Sequence, residues 1–153
     1  MDADEAFGHW LAGFSDGEGC FTVTKRSDSA GVVVAFQIKL RDDDADILYE
    51  CQRRLGGTVI RIKESNPKWG DQVVWRVRDM TSLQNLVNLF EAHPLRAKKR
   101  KDFEIWKQAV RLRAQVVKHQ GNATTKAANA AIWPQMLALK EQLERERTYV
   151  RSN

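Results

Sequence analysis

The chain has 153 residues, 42% of them hydrophobic and 29% charged, and a net charge of +5. That is long enough for one domain with its own core. No apolar run approaches the ~20 residues of a membrane span. The start of the chain carries acids rather than the basic opening of a secretion signal, and Cys20 and Cys51 give neither a zinc spacing nor a disulfide framework. These features predict an intracellular protein (cytoplasm, nucleoid or an organelle) with reduced thiols and no membrane partner. A pI near 9.4 leans weakly toward a polyanionic partner.

Phe7, Trp10, Leu11 and Phe14 recur at i, i+3, i+4 and i+7, which predicts a helix with one apolar face. Ala12 and Gly13 beside that face are small enough for another backbone to come close. Residues 20–26 and 32–41 read as strands, joined by the turn-forming run Ser27-Asp-Ser-Ala-Gly31. Asp42-Asp-Asp44 reads as the N-cap of a helix carrying Ile47, Leu48, Cys51 and Leu55, which Gly56 and Gly57 stop. Two more strands are expected at 58–64 and 72–78, with Asn66–Gly70 as the loop between them. Thr81 or Ser82 is expected to cap a helix bearing Leu83, Leu86, Val87 and Phe90, which Pro94 ends. A basic helix follows over 98–118. The small polar run 121–129 reads as a flexible loop, and a last helix starts near Pro134, with Met136, Leu139 and Leu143 as its stripe. The order predicts an α+β fold of layered helices and sheet.

Leu11-Ala-Gly-Phe-Ser-Asp-Gly-Glu-Gly19 opens as part of the first helix and runs up to the first strand. Two carboxylates, Asp16 and Glu18, lie among glycines where the strand begins. This segment resembles the signature of the LAGLIDADG homing endonucleases: Leu11, Ala12, Gly13, Asp16 and Gly19 match letter for letter, and Glu18 replaces aspartate with another carboxylate. Pro94-Leu-Arg-Ala-Lys-Lys99, Asp102-Phe103 and Trp106 are also similar to the family. The likeness covers roughly the first three quarters of the chain. It implies an αββαββα fold with a saddle-shaped, antiparallel four-stranded sheet per subunit and extra C-terminal helices. The whole chain, 1–153, is then one endonuclease domain, with a core over 1–118 and a C-terminal loop and helix over 119–153.

Hydrolysis of a phosphodiester needs a nucleophile and relief of charge on the phosphate and leaving oxygen, which a divalent metal can supply. Magnesium takes oxygen ligands and keeps several waters, so one or two carboxylates suffice per site. The resemblance implies Glu18 as the metal-binding acid and the Gly17 carbonyl as a second ligand. The ion is then Mg2+, with Mn2+ a substitute and Ca2+ bound without supporting cleavage. It also implies Lys98 as the basic residue near the cleavage site. Asp16, close to a helix C-terminus, faces an unfavourable dipole, which predicts a local compensating contact at the two-fold seam rather than metal ligation. Leu40 stands where some relatives carry a polar side chain that positions the attacking water.

Alternation along strands sends Phe21, Val23, Val34, Phe36, Ile38, Ile60, Ile62, Trp75 and Val77 inward. It leaves Thr22, Thr24, Arg26, Val33, Ala35, Gln37, Lys39, Arg61, Lys63, Arg76 and Arg78 outward. The polar members form the expected face for double-stranded DNA, where Arg and Gln can read bases and other cations meet phosphate. A single copy of the motif implies the homodimeric branch of the family, with Leu11, Ala12, Gly13 and Asp16 at the seam and a near-palindromic target. The expected activity is cleavage of both strands, leaving short 3′ overhangs, in intron homing, with no small-molecule substrate. The alternative reading is a nucleic-acid binder of the same fold that does not cut, such as an intron RNA maturase. A basic protein–protein dimer module fits less well, because all four strands carry outward cations or hydrogen-bonding groups.

Overall fold

The computed structural model describes residues 1–29, 31–117 and 123–147. Its elements are α1 (Ala3–Glu18), β1 (Gly19–Lys25), β2 (Val32–Arg41), α2 (Ala45–Leu55), β3 (Thr58–Ile62), β4 (Gln72–Val77), α3 (Met80–Ala92), α4 (Lys99–Ala114) and α5 (Ala123–Arg147). A short 3-10 turn at Asp42–Asp44 precedes α2. The expected helix and strand order is present, and the strands make one antiparallel sheet in the order β1-β2-β4-β3. The protein is α+β. Contacts group it into two compact units, one of Met1–Cys20 with Ala35–Arg100, the other of Phe21–Val34 with the described residues after Arg100.

In the first unit α1 opens on Asp2, whose side chain accepts the Glu5 N–H at 2.7 Å and so satisfies one orphan donor of the first turn. Its buried arc is Phe7, Gly8, Leu11, Ala12 and Ser15. That arc is centred between Leu11 and Ser15, so the apolar face expected from Phe7, Trp10, Leu11 and Phe14 is only half right. Trp10 lies at the far edge, 38% exposed, and stacks on half-buried Phe14 with ring centres 5.1 Å apart. Gly8 has a steric reason. A Cβ there would sit 2.4 Å from the His93 ring at the end of α3.

Phe36, Ile38, Leu48, Trp75, Leu83, Leu86 and Phe90 fill the core of this unit. The Phe36 ring meets Trp75 and Phe90 edge-on at 5.8 and 5.9 Å, a favoured aromatic geometry. Gly56 and Gly57, at φ +91° and +83°, turn the chain from α2 into β3. They also admit close neighbours: Trp75 Nε1 donates to the Gly56 carbonyl at 2.9 Å. The cap of α3 is Asp79, whose carboxylate accepts from both the N–H and hydroxyl of Ser82, rather than the expected Thr81 or Ser82. Asp44 holds the N-cap position of α2 without a side-chain capping bond.

In the second unit Phe21 packs on Trp106 and Phe103 of α4 at 5.1 and 5.9 Å. Arg147 ties the end of α5 to this cluster through the Phe21 carbonyl and through Asp102, 3.5 Å from its Nε. The Asn129 amide both donates to the Val117 carbonyl and accepts its N–H, each at 2.9 Å. The last helix differs from expectation. It begins at Ala123, so 123–129 is helix rather than loop, and Pro134 lies inside it rather than in its first turn. Proline there removes one intrahelical bond. The carbonyl left over belongs to exposed Ala130, within reach of water. Residues 121 and 122 of the expected loop, and Lys118 of the expected basic helix, lie outside the described residues.

Candidate active site and nucleic-acid face

The last turn of α1 holds Asp16, Gly17 and Glu18, and β1 begins at the next residue, with no intervening turn. Glu18 is exposed on this corner, as is Gly17, where an added Cβ would meet nothing within 4 Å. Asp16 makes the compensating contact its position demands. Its two carboxylate oxygens accept the backbone N–H groups of Arg96 and Ala97 at 3.0 and 3.1 Å. This clamp pins the segment leading into α4 against the end of α1. Lys99, the first residue of α4, then donates its ammonium to the Gly17 carbonyl at 3.0 Å. Lys98, the sequence candidate, is exposed in the turn just before the helix. In the sequence Lys99 is marked only as a neighbour of Lys98 in a basic run.

The seam candidates divide. Leu11 and Ala12 are buried in the subunit's own core, at 0% and 4% exposure, while Gly13 is exposed with open space over its Cα. Asp16 is half-buried in the clamp.

Antiparallel partners lie on the same face of a sheet. Phe36, Ile38 and Leu40 of β2 stand opposite Val77, Trp75 and Val73 of β4. Gln37, Lys39 and Arg41 stand opposite Arg76, Val74 and Gln72. So Gln37, Lys39 and Arg76 share the polar face as expected, and Arg41 joins them. Leu40 belongs to the apolar side with Trp75. In β3 the expected faces are exchanged. Val59 and Arg61 pair with Trp75 and Val73, while Thr58, Ile60 and Ile62 pair with Arg76, Val74 and Gln72. Arg61 is therefore on the apolar side of the sheet, and Ile60 and Ile62, expected in the core, are 37% and 36% exposed on the polar side. A depression of about 370 Å3 lined by Thr58, Ile60, Arg76, Arg78 and Asp79 marks the same face. Lys63 and Arg78 are exposed beyond the ends of their strands.

In the second unit, Phe21 and Val23 of β1 are buried, Thr22 is half-buried and Thr24 exposed. Arg26 follows the strand, exposed and paired with Asp28 at 3.3 Å. Ala35 of β2, in the first unit, keeps the phase of Gln37 and Lys39 and is buried nonetheless. Alanine is small enough to be covered on either face.

A helix that ends in an exposed carboxylate and runs directly into the edge strand of a four-stranded antiparallel sheet defines the molecule as an α+β protein with an acid at the helix–sheet corner. Residues 11–110 match the family model described as LAGLIDADG endonuclease, and the chain belongs to that family. Among curated proteins it is similar to the probable intron-encoded endonuclease Cox1-I1b of Schizosaccharomyces pombe, 31% identical over 108 residues, which span 68% of this chain and 27% of that protein. Among solved structures it is similar to the LAGLIDADG meganuclease I-AabMI bound to uncleaved DNA. The identity is 27% and the TM-score 0.66, covering 87% of this chain and 43% of that one. The homing endonuclease I-TnaI shares the fold at 24% identity and a TM-score of 0.65, covering 95% and 97% of the two chains. The chain spans between 18% and 27% of the length of the curated relatives it matches. No helix among the described residues is long and apolar enough to cross a membrane.

Proposed function

We propose that this chain is a site-specific homing endonuclease that hydrolyses both strands of a long, near-palindromic DNA duplex and leaves short 3′ overhangs. It acts inside the cell, in intron homing. The observation that carries the reading is the exposed Glu18 carboxylate beside the accessible Gly17 carbonyl, delivered by the family's own helix to the start of the sheet. These are hard oxygen donors of the kind Mg2+ and Mn2+ prefer, and the Gly17 carbonyl already accepts a cation, the Lys99 ammonium. Among the described residues no three His, Cys, Asp or Glu side chains gather to hold a metal; Glu18 and the Gly17 carbonyl would hold the ion, with water as further ligand. When bound, the ion neutralises charge on the phosphate and makes water a stronger nucleophile. Ca2+, larger and less strongly polarising, binds without supporting cleavage.

Glu18 orients the ion. Lys98 supplies positive charge near the scissile phosphate, where fixed charge stabilises the developing oxyanion. In the first unit the polar sheet face, with Gln37, Lys39, Arg41 and Arg76, contacts the duplex, as do Lys63 and Arg78; in the second unit Thr22, Thr24 and Arg26 do so. Arg61 is left out of that set by its face. The single motif fits a homodimer with one active site per strand, joined along the open side of α1 around Gly13.

The test is a cleavage selection from a randomised long-duplex library with Mg2+, comparing the parent with Glu18→Gln. The reading expects cut, near-palindromic sites from the parent alone. Enriched but uncut sites from both proteins would reduce it to a DNA binder. Equal cleavage by both would remove Glu18 from the metal site.

A further inference from the structure

The Lys99 ammonium sits on one of the oxygens that the proposed metal would use. We propose that Lys99 is a built-in competitor of the divalent cation, holding the Gly17 carbonyl until the metal displaces it. This rests on the metal-dependent reading above and adds a residue that sets how readily the ion is taken up.

Three features make the contact a property of the fold rather than a chance pose. The Asp16 carboxylate fastens the backbone N–H groups of Arg96 and Ala97 to the last turn of α1. The Ala97 carbonyl in turn accepts the Arg100 N–H at 3.0 Å, starting α4. Lys99 therefore leaves the chain from a fixed point beside Gly17. Its side chain is half-buried, whereas that of Lys98 is exposed. Second, the carbonyls at a helix C-terminus carry partial negative charge and attract cations, and this end of α1 has no basic residue of its own in its last turn. The ammonium supplies from α4 what α1 lacks. Third, Gly17 is exposed and carries no side chain, and a Cβ added there would meet nothing within 4 Å, so the residue adds no bulk of its own at this corner.

A lysine side chain has four rotatable bonds and can swing away at modest cost, so competition sets affinity without blocking the site. A cation held at one ligand oxygen also repels a divalent ion arriving at that oxygen and at Glu18. Removing the charge should therefore tighten metal binding, the opposite of what a lysine that helps to bind metal would show.

The experiment is Mn2+ binding to DNA-free protein, read from the loss of the free aqua-ion signal in electron paramagnetic resonance. It compares the parent with Lys99→Met, Lys99→Arg, Glu18→Gln and Lys68→Met, the last removing an exposed charge from the β3–β4 loop. Circular dichroism melts confirm that each variant is folded. Lys99→Met should bind about fivefold more tightly, the scale of one like charge withdrawn from a solvent-screened site. Lys99→Arg and Lys68→Met should stay within about twofold of the parent. Glu18→Gln should lose the binding. If Glu18→Gln loses binding while Lys99→Met matches the parent, the competitor role is overturned and the metal site stands. Weaker binding by Lys99→Met would overturn it as well. If no variant shows Glu18-dependent binding, the metal reading fails and this inference with it.

Discussion

Asp16 is the residue whose removal should cost most for the least change in shape. Its carboxylate accepts two backbone N–H groups, from Arg96 at 3.0 Å and Ala97 at 3.1 Å. Hydrogen bonds to a charged partner contribute about 1.5–3 kcal/mol each. At this half-exposed position the lower end applies, or about 3 kcal/mol for the pair. Asparagine keeps one acceptor oxygen, worth about 1 kcal/mol as a neutral bond, and turns its amide toward the other donor. Loss of the negative charge from the last turn of α1 returns about 0.5 kcal/mol through the helix dipole. The net expectation for Asp16→Asn is destabilisation by about 1.5 kcal/mol, and for Asp16→Ala about 2.5 kcal/mol. Urea unfolding followed by tryptophan fluorescence measures both, with an unchanged slope showing that only stability moved. Values within about 0.3 kcal/mol of the parent for both variants would refute the clamp. Equal losses for asparagine and alanine would show that the retained acceptor contributes nothing.

Two further outcomes follow from other parts of the molecule. Burial, and then the nearby Glu50 charge, push the Cys51 thiol up to about 12 from an ordinary 9.0. The folded chain then keeps the thiol protonated after the unfolded chain has ionised. Stability from this group is intact below about pH 9 and falls as pH rises toward 12, by at most about 1.4 kcal/mol per pH unit. Cys51→Ala should flatten the alkaline loss seen in urea melts between about pH 8 and about pH 10.5. An identical slope in the two proteins would contradict the shift. On the sheet, Arg76→Ala should lower the salt dependence of DNA binding by about one phosphate contact, while Arg61→Ala leaves it unchanged. Fluorescence anisotropy across a salt series decides this, and equal effects from the two arginines would mean that the assigned faces are wrong.

The parts of the fold that the sequence disclosed are those with strong period and strong punctuation. Strand 32–41 has the bounds that alternation and the following aspartates predicted. Arg41 was within reach of the same logic, since Gln37, Lys39 and Arg41 are spaced by two, and only its position at the strand end hid it. β3 was not readable in this way. Thr58-Val-Ile-Arg-Ile62 is apolar on both phases except for one arginine, so alternation could not choose a face. Taking the two isoleucines as core was the natural error. β3 is an edge strand with a partner on one side only, where β-branched side chains tolerate partial exposure. The start of α5 was missed for a different reason. Residues 123–131 are small and polar, but five of them are alanine, the best helix former, and that propensity prevails over the loop-like composition. Lys98 and Lys99 are adjacent in sequence, one in the turn before α4 and one at its first position. The contact of Lys99 with Gly17 depends on the clamp at Asp16, which joins residues 80 positions apart and leaves no local signal in the sequence.

The electrostatics of that corner connect its parts. The last turn of α1 contains two acids and no base, against a dipole that favours the reverse. Asp16 is offset by two backbone N–H groups and the Gly17 carbonyl by the Lys99 ammonium. Glu18 is exposed at the same helix end. A helix end arranged in this way attracts positive charge, and a lysine and a divalent ion are alternative ways to supply it. They should therefore compete, and Glu18→Gln and Lys99→Met should move metal affinity in opposite directions. A lysine that instead cooperated with the ion would make both substitutions weaken binding. The sign of the Lys99 effect thus separates an electrostatic placeholder from a ligand-organising residue, whatever its size.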